Sequence, residues 1–368
     1  MMGGGARAAY QIGVLQGVAK FLPEGAASPF QVITGISAGA INALSLVAVA
    51  DDFHKAVESM YSVWSNFKCD QIFYCDALGI TKTWARWLLS MALANFGKNQ
   101  PLSLLDRVPL QELLEDYLRF DGIEENIKKE IVHAVSVTAS GYLSGHSMTF
   151  YQGHESINSW KRARRFGCRE KLNISHLMAS SAIPFIFSPV KVNREYFGDG
   201  SFRLVAPLSA PLHLGAEKIF VIGNRMEEGV YTRATQVNTP SFAEISAHIL
   251  NSIFLDSLES DLERLNRINN TLDHISEESM QNENYPLRKV DTLMIAPSED
   301  IGKMAEPFTQ DMPRPLRLLL RGIGAMKKEG STMVSYLMFE KGYCNELIAL
   351  GYRDAISMEV EIRDFLNL

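Results

Sequence analysis

A short apolar run followed by Gly-Ile-Ser-Ala-Gly constrains the fold of this chain more than any other feature. Phe30–Thr34 predicts a buried strand, and the small and apolar residues after the turn predict a helix to about Ala50. The G-x-S-x-G spacing is typical of a nucleophile elbow, a sharp strand-to-helix turn that exposes a serine hydroxyl. Glycines are needed there because side chains would collide with the strand or the helix. Ser37 is therefore the candidate nucleophile, flanked by Gly35 and Gly39; the alternative is a tight turn with a capping serine.

The chain opens with three glycines at the start of a predicted helix. Gly3, Gly4 and Gly5 precede a helix-favouring stretch that ends near Phe21, and the backbone N–H groups of such a loop can bind an anion. The spacing matches neither common nucleotide-binding glycine motif, so a nucleotide site is poorly supported. With a serine nucleophile on the next strand, the loop predicts an oxyanion hole. Arg7, which follows the glycines, either adds a positive charge there or tethers the loop.

An aspartate far along the chain is the candidate base. Asp199 lies in an aromatic stretch, 196–202, which taken alone favours a hairpin turn. Gly198 and Gly200 flank it, and the absence of side chains on both neighbours lets an acid approach another group closely. Because Ser37 has no other obvious partner, we predict that Asp199 accepts its proton.

Four separate blocks of this sequence resemble the patatin-like phospholipase family, and specifically its bacterial members. The blocks are Gly3–Arg7, the elbow Gly35–Gly39, the helix-to-proline stretch Leu177–Phe185 and the pair Asp199-Gly200. The resemblance covers at least residues 3–225. It implies a three-layer α/β/α fold around a central sheet, with a helical C-terminal extension as in many bacterial members.

The resemblance also implies a lipid acyl hydrolase with a Ser-Asp dyad. Ser37 would be the nucleophile, Asp199 the base, and Gly3 to Gly5 the oxyanion loop. The substrate would be a membrane phospholipid or lysophospholipid, which implies peripheral contact with a membrane. Family members usually carry an apolar strand before the glycine loop. Here two methionines precede it, so either the chain begins late or the sheet lacks part of its first strand.

Two kinds of alternative remain open. His213, one of eight histidines, follows Asp199 in the order Ser, Asp, His that is expected of an α/β-hydrolase triad. The segment after it, 218–223, predicts a buried strand, which favours a helix or loop position beneath the sheet for His213. A soluble esterase or thioesterase with the same dyad, and a membrane-binding scaffold without catalysis, are the functional alternatives.

Helical and strand patterns alternate along the chain. Besides the strand before Ser37 and another at Asp199, strand patterns lie at 131–139, 147–151, 218–223 and 290–296. Strands separated by helices predict an α/β fold with a mainly parallel sheet covered on both faces. We divide the chain into a catalytic domain, 1–298, and a helical C-terminal extension, 299–368, packed on it.

Three amphipathic or apolar segments are candidates for packing or lipid contact. Trp84–Phe96 is rich in tryptophan and leucine, which suits an interfacial helix or lid as well as a core element. Pro313–Arg321 combines leucines with arginines; we expect packing on the domain, with contact to anionic head groups as the alternative. A long helix predicted from Phe242 to about Ile275 repeats leucines at helical spacing, and we expect it to pack on the domain rather than form an oligomer seam.

Composition excludes several classes of protein. A net charge of −6 argues against general nucleic-acid binding, and no run of eighteen apolar residues predicts a membrane span. Four cysteines are too few for a disulfide framework and lack metal-ligand spacing. We therefore expect a cytoplasmic protein, peripheral on the inner membrane, with no cofactor and no metal, for which a homodimer remains open.

Overall fold

The computed structural model describes residues 1–77, 79–81, 85, 103–224, 248, 257–275, 288–322, 325 and 331–368. Within these ranges the helices are α1 (Ala9–Phe21), α2 (Ala38–Ala48), α3 (Phe53–Trp64), α4 (Val108–Tyr117), α5 (Phe120–Lys128), α6 (Ile174–Ser180), α7 (Ser209–His213), α8 (Ser257–Leu272), α9 (Ile301–Met304), α10 (Arg314–Gly322), α11 (Ser331–Leu337), α12 (Lys341–Ser357) and α13 (Glu359–Leu366). The strands are β1 (Val32–Ile36), β2 (Ala134–Gly141), β3 (Ser147–Gly153), β4 (Trp160–Arg162), β5 (Arg165–Arg169), β6 (Val190–Val192), β7 (Glu195–Asp199), β8 (Lys218–Ile222) and β9 (Asp291–Ile295). The expected α/β class is confirmed.

The fully buried strand β2 organises the central sheet of seven strands. Strand β3 pairs antiparallel along one edge of β2, so β1 and β7 share the other edge. Strand β1 runs parallel to β2 and ends with Ile36 opposite Thr138. Strand β7 runs antiparallel to β2 and ends with Asp199 opposite Ala139. The two strands therefore run toward each other, and their ends meet beside consecutive residues of β2.

The expectation of a mainly parallel sheet is wrong. Among the described strands, β1–β2, β3–β5 and β8–β9 are parallel pairs, and the other four pairs are antiparallel. The reason is the length of the connections, because parallel neighbours need a crossover of a dozen or more residues. Turns at Arg164 and Asn193, both with positive φ, instead join β4 to β5 and β6 to β7 directly.

The first residue of the chain extends the sheet beyond β1. The Met1 ammonium nitrogen donates to the Thr34 carbonyl over 2.8 Å, and the Ile36 N–H donates to the Met1 carbonyl over 3.3 Å. This is the hydrogen-bond pattern of a parallel pair, so Met1 takes a strand position beside Gly35. The glycine loop that follows is thereby fixed next to the end of β1.

The C-terminal helices pack closely on the N-terminal helix. A Cβ on Gly13 of α1 would overlap the backbone of α12, and a Cβ on Gly351 of α12 would overlap the backbone of α1. Between the same helices, the Tyr10 hydroxyl donates to Asp354 Oδ2 over 2.9 Å. Buried residues from both parts of the chain form one hydrophobic core. The division at 298 and 299 stays a prediction.

The other predicted segments have different outcomes. Within 242–275 the structure describes residues 248 and 257–275, and helix α8 ends at Leu272. Leu258 and Leu265 pack with Ile36 in a second core cluster, which agrees with packing on the domain. Trp84–Phe96 lies outside the described residues apart from Ala85. Helix α10 buries two leucines of the 313–321 segment, as expected for a packed helix. None of the helices in the described ranges has the length and apolarity that crossing a bilayer requires.

Candidate active site

The turn between β1 and α2 has the geometry of a nucleophile elbow. Ser37 has φ 54° and ψ −128°, a strained conformation for a residue with a side chain, and it is 3% exposed. A Cβ on Gly35 would overlap the backbone of Gly39 and Ala40 in the first turn of α2. A Cβ on Gly39 would lie 2.5 Å from the carbonyl oxygens of Met1 and Met2. Both flanking glycines are therefore required by close backbone approach, as the sequence predicts.

The Asp199 carboxyl lies at the end of β7 and is fully buried. Its Oδ1 accepts a hydrogen bond from the Ser201 N–H over 2.9 Å, and its Oδ2 has no partner within the described residues. Burial raises the pKa of Asp199 to about 6, although the neighbouring Ser37 hydroxyl, Ser201 and the charge of Arg107 all favour the ionised form. This carboxyl is a stronger base than an exposed one, and one of its oxygens remains available.

The close approach of β7 to β1 depends on Gly200. A Cβ at this position would overlap the Thr138 carbonyl and lie 2.9 Å from Ile36 Cγ2. Gly200, predicted from the sequence as the neighbour of Asp199, therefore occupies a position that a side chain would not fit, and the structure brings Ser37 and Asp199 together at the meeting point of the two strands.

One short segment at the end of α6 holds the backbone of both residues. The Ser37 N–H donates to Ser180 Oγ over 2.8 Å, and this hydroxyl donates to the Thr138 carbonyl over 2.6 Å. Two residues on, the Ala182 carbonyl accepts the Asp199 N–H over 2.8 Å. We call Ser180–Ala182 the clamp segment. The sequence does not reveal the role of this segment, although it lies in the block Leu177–Phe185 of the resemblance, to which no chemistry is assigned.

A buried arginine braces the clamp segment and faces the same site. Arg107 is 5% exposed; it donates to Ser181 Oγ over 2.9 Å and to the Ser188 carbonyl over 3.2 Å. Its guanidinium lies 5.3 Å from the centre of the Phe187 ring. Burial lowers the pKa of Arg107 to about 10, so it stays charged at neutral pH. No sequence motif marks this residue, and only its position in three dimensions reveals it.

The glycine loop lies beside the elbow. Gly5, with φ 56°, begins a 3-10 helix over Gly5–Ala8, and a Cβ there would overlap the Tyr336 carbonyl. Gly5 and Ser37 line the same cavity. The N–H groups of Gly3 and Gly4 donate no hydrogen bond within the described part of the chain, whereas the Gly3 carbonyl accepts one from the Asn224 side chain. Free donors of this kind are what an oxyanion hole requires.

Arg7 connects the loop to the C-terminal helices. Its Nε donates to Ser335 Oγ over 2.8 Å, and its guanidinium lies 4.0 Å from the centre of the Tyr336 ring. The side chain is 4% exposed. Of the two roles considered for Arg7, these contacts favour the tether.

His213 occupies the end of α7, as the helical alternative predicts. Its Nδ1 lies 2.7 Å from the Ser209 carbonyl, and its ring stacks on Trp160 at 4.9 Å. No histidine in the described ranges hydrogen-bonds to Ser37 or Asp199. Within those ranges no cluster of three potential metal ligands occurs, and the four cysteines are free thiols.

An apolar cavity leads from Ser37 into the protein. Besides Gly5 and Ser37 it is lined by side chains of α2, α3, α4, the clamp region and the C-terminal helices: Ala38, Ile41, Ser45, Met60, Val63, Trp64, Phe67, Ile72, Leu110, Leu113, Leu114, Tyr117, Ser181, Ile183, Phe187, Tyr336, Leu337 and Phe339. Most of these side chains are hydrocarbon, so the cavity suits an acyl chain better than a polar ligand.

A protein family and a solved structure are similar to this chain. The family model described as Patatin-like phospholipase matches residues 1–212, more than half of the chain. No curated protein matches the chain. Among solved structures, the crystal structure of VipD from Legionella pneumophila is similar with 13% sequence identity and a TM-score of 0.31, covering 91% of this chain. The chain spans 65% of the VipD chain.

Proposed function

Because the chain belongs to the patatin-like phospholipase family, we propose that it hydrolyses carboxylic esters of membrane phospholipids or lysophospholipids through an acyl-Ser37 intermediate. The observation that carries the proposal is the meeting of Ser37 and Asp199 at the ends of β1 and β7, where the Ser37 hydroxyl favours the ionised form of the buried Asp199 carboxyl. An apolar cavity that begins at the same serine provides room for the acyl chain.

The chemistry follows from the free carboxylate oxygen. As Ser37 Oγ attacks the ester carbonyl, its proton passes to Asp199, and the departing alcohol then takes that proton. Water attacks the acyl-serine in the second half of the cycle, gives a proton to Asp199, and releases the fatty acid as Ser37 regains its hydrogen. With a pKa of about 6, Asp199 is mostly ionised at neutral pH and still a better base than an ordinary aspartate.

The negative charge on the attacked carbonyl oxygen needs its own donors. The Ser37 N–H already donates to Ser180, so it does not serve this purpose. The free N–H groups of Gly3 and Gly4 and the positive end of α2 remain for the oxyanion. Loss of one such donor typically costs on the order of 10² to 10³ in rate.

Contact with the membrane is the second part of the proposal. Helix α10 buries Leu316 and Leu320 but leaves Leu318 71% exposed, between the exposed Arg314 and Arg321 on the same face. Arginines around an exposed leucine suit an anionic lipid surface. We place the protein at the cytoplasmic face of the inner membrane, where the four thiols would stay reduced.

A fluorophosphonate probe combined with a lipid digest tests the proposal. The wild type should be labelled and should release fatty acid from phospholipid vesicles or lysophospholipid, whereas Ser37→Ala and Asp199→Asn should lose both activities. Ser62→Ala, an exposed serine of α3, is the matched control and should retain them. Turnover of short esters with no action on lipid would indicate a soluble esterase. A folded wild type that takes no label would contradict catalysis and leave the membrane-binding scaffold.

His213→Asn separates the dyad from the triad. The geometry around Asp199 favours the dyad, because His213 bonds to Ser209 and stacks on Trp160. The variant should therefore keep most of the activity. Loss of nearly all activity, in a variant that melts like the wild type, would instead support a histidine base.

A further inference from the structure

The cavity at Ser37 follows one stripe of helix α2. Ser37, Ile41 and Ser45 lie four residues apart and all line it, so the cavity runs along the helix axis. At 1.5 Å of rise per residue, the distance from Ser37 to Ser45 is about 12 Å. The cavity is narrow, with a volume of about 50 Å³.

Hydroxyl groups line the cavity two turns of α2 away from the nucleophile, at Ser45 and Tyr117. Tyr117, the last residue of α4, places its hydroxyl 3.1 Å from Ser59 Oγ of α3 and beside Ser45 of α2. The Ser45 side chain is 6% exposed. The tyrosine thus joins three helices at the wall of the cavity. Extending a methylene chain past this point would separate these hydroxyls and bury them without partners, which costs about 1–3 kcal/mol per group.

We propose that Ser45 and Tyr117 form the floor of an acyl-chain site that accepts chains of about ten carbons, so that medium-chain acyl esters are the preferred substrates. This inference rests on the proposed function. An extended alkyl chain advances about 1.3 Å per carbon, the projection of a 1.5 Å bond, so 12 Å corresponds to about nine or ten carbons. Longer chains must displace the floor or leave part of their length outside.

The chain-length dependence of hydrolysis measures the depth of the cavity. With p-nitrophenyl esters from butanoate to hexadecanoate, kept below their aggregation limits, kcat/KM of the wild type should rise with each methylene that enters the cavity. A buried methylene contributes up to about a fourfold gain. The rise should stop near ten carbons. A wild type whose kcat/KM keeps rising through fourteen and sixteen carbons contradicts the proposal.

Two substitutions should move the optimum in opposite directions. Ser45→Leu fills the floor, so the optimum should shift to shorter chains, with at least a tenfold loss for decanoate and little loss for butanoate. Tyr117→Ala opens the floor, so the optimum should shift to longer chains. A uniform loss at every chain length, with an unchanged profile, would mean that these residues act only on folding.

Matched controls come from the neighbouring helix α3. Ser62→Leu and Tyr61→Ala repeat the two changes at exposed positions that do not line the cavity. Both should keep the wild-type chain-length profile. If either control shifts the optimum as its partner does, the change is not specific to the floor, and the proposal fails.

A binding experiment separates this proposal from the proposed hydrolase function. Ser37→Ala cannot form the acyl-enzyme but keeps the cavity, so titration calorimetry with octanoate, decanoate and tetradecanoate reports chain fit alone. Decanoate should bind most tightly, and Ser45→Leu in the same background should weaken it at least tenfold. If no ester is hydrolysed but this binding order holds, the hydrolase proposal fails, whereas the proposal that Ser45 and Tyr117 limit the chain length is supported. Equal binding of all three acids contradicts the proposal for Ser45 and Tyr117.

Discussion

The backbone N–H of Ser37 donates to the side-chain hydroxyl of Ser180 over 2.8 Å. This bond holds a serine whose φ of 54° is costly for any residue with a Cβ. The same hydroxyl donates to the carbonyl of Thr138, the residue opposite the end of β1. The buried Ser180 hydroxyl therefore connects the elbow to β2, the same strand with which Asp199 is paired.

Ser180→Ala should lower kcat at least tenfold while KM stays within about twofold. The hydroxyl touches no substrate, so its removal disturbs the orientation of Ser37 rather than binding. It also leaves the Ser37 N–H and the Thr138 carbonyl unpartnered, which should lower the free energy of unfolding by about 1–3 kcal/mol. Steady-state kinetics and chemical denaturation measure the two effects. Ser175→Ala, elsewhere on α6, is the matched control. An unchanged kcat in a destabilised Ser180→Ala variant would show that the bond is structural only.

The acid limb of the pH profile should depend on Arg107. With the pKa of Asp199 at about 6, kcat/KM of the wild type should fall as pH drops through 6, because the protonated carboxyl cannot accept a proton. The charge of Arg107 favours the ionised carboxylate. Arg107→Met should therefore move the acid limb upward by roughly half a unit or more. The exposed Arg119→Met is the control. A loss of activity without movement of the limb would confine Arg107 to bracing the clamp segment.

Asp199→Asn should make the protein more stable above pH 6 while abolishing activity. The pKa of Asp199 is raised in the fold from 3.8 to about 6, so the folded protein binds the extra proton between these values. Its free energy of unfolding consequently falls as pH rises from about 4 to 6 and stays lower above. An asparagine does not ionise, so the variant avoids this loss of stability, which is at most about 3 kcal/mol.

Urea denaturation at pH 4 and pH 7.5 measures this difference for Asp199→Asn. The gain should be present at pH 7.5 and absent at pH 4, whereas the exposed Asp116→Asn should show none at either pH. A gain of equal size at both pH values would mean that ionisation of the carboxylate is not its cause.

Gly5→Ala should reduce the rate of fluorophosphonate labelling by at least a hundredfold, since its Cβ would displace the loop from Tyr336 and misplace the oxyanion donors. Gly25 is a close control, because it has φ 72° but open space around it. Gly25→Ala pays the same left-handed strain, about 1–2 kcal/mol, without a collision. Equal loss in both variants, measured with thermal melting beside the labelling, would attribute the effect to strain rather than to the position of the loop.

The residues that sequence analysis found are those whose chemistry is marked by local spacing. Gly35, Ser37 and Gly39 are identifiable because a sharp turn between strand and helix imposes glycines at fixed offsets. Arg107 and Ser180 are not, since each acts through a partner distant in sequence and no short motif records such a pair. The pairing of the strands differs from the prediction for a related reason. Alternating helices and strands predict parallel pairing, but the two short turns at Arg164 and Asn193 reverse the chain.

The pairing of β1 and β7 with β2 affects which insertions and deletions in the sequence would leave the reactive pair in place. Thr138 and Ala139 are consecutive, so a single peptide unit sets the offset between the ends of the two strands. Most of the polypeptide that links Ser37 to Asp199 in sequence does not set that offset. Loops there can gain or lose residues without altering the reactive pair, provided that β2, the clamp segment and the Arg107 brace are kept. Substrate choice can thus diversify around a fixed reaction centre.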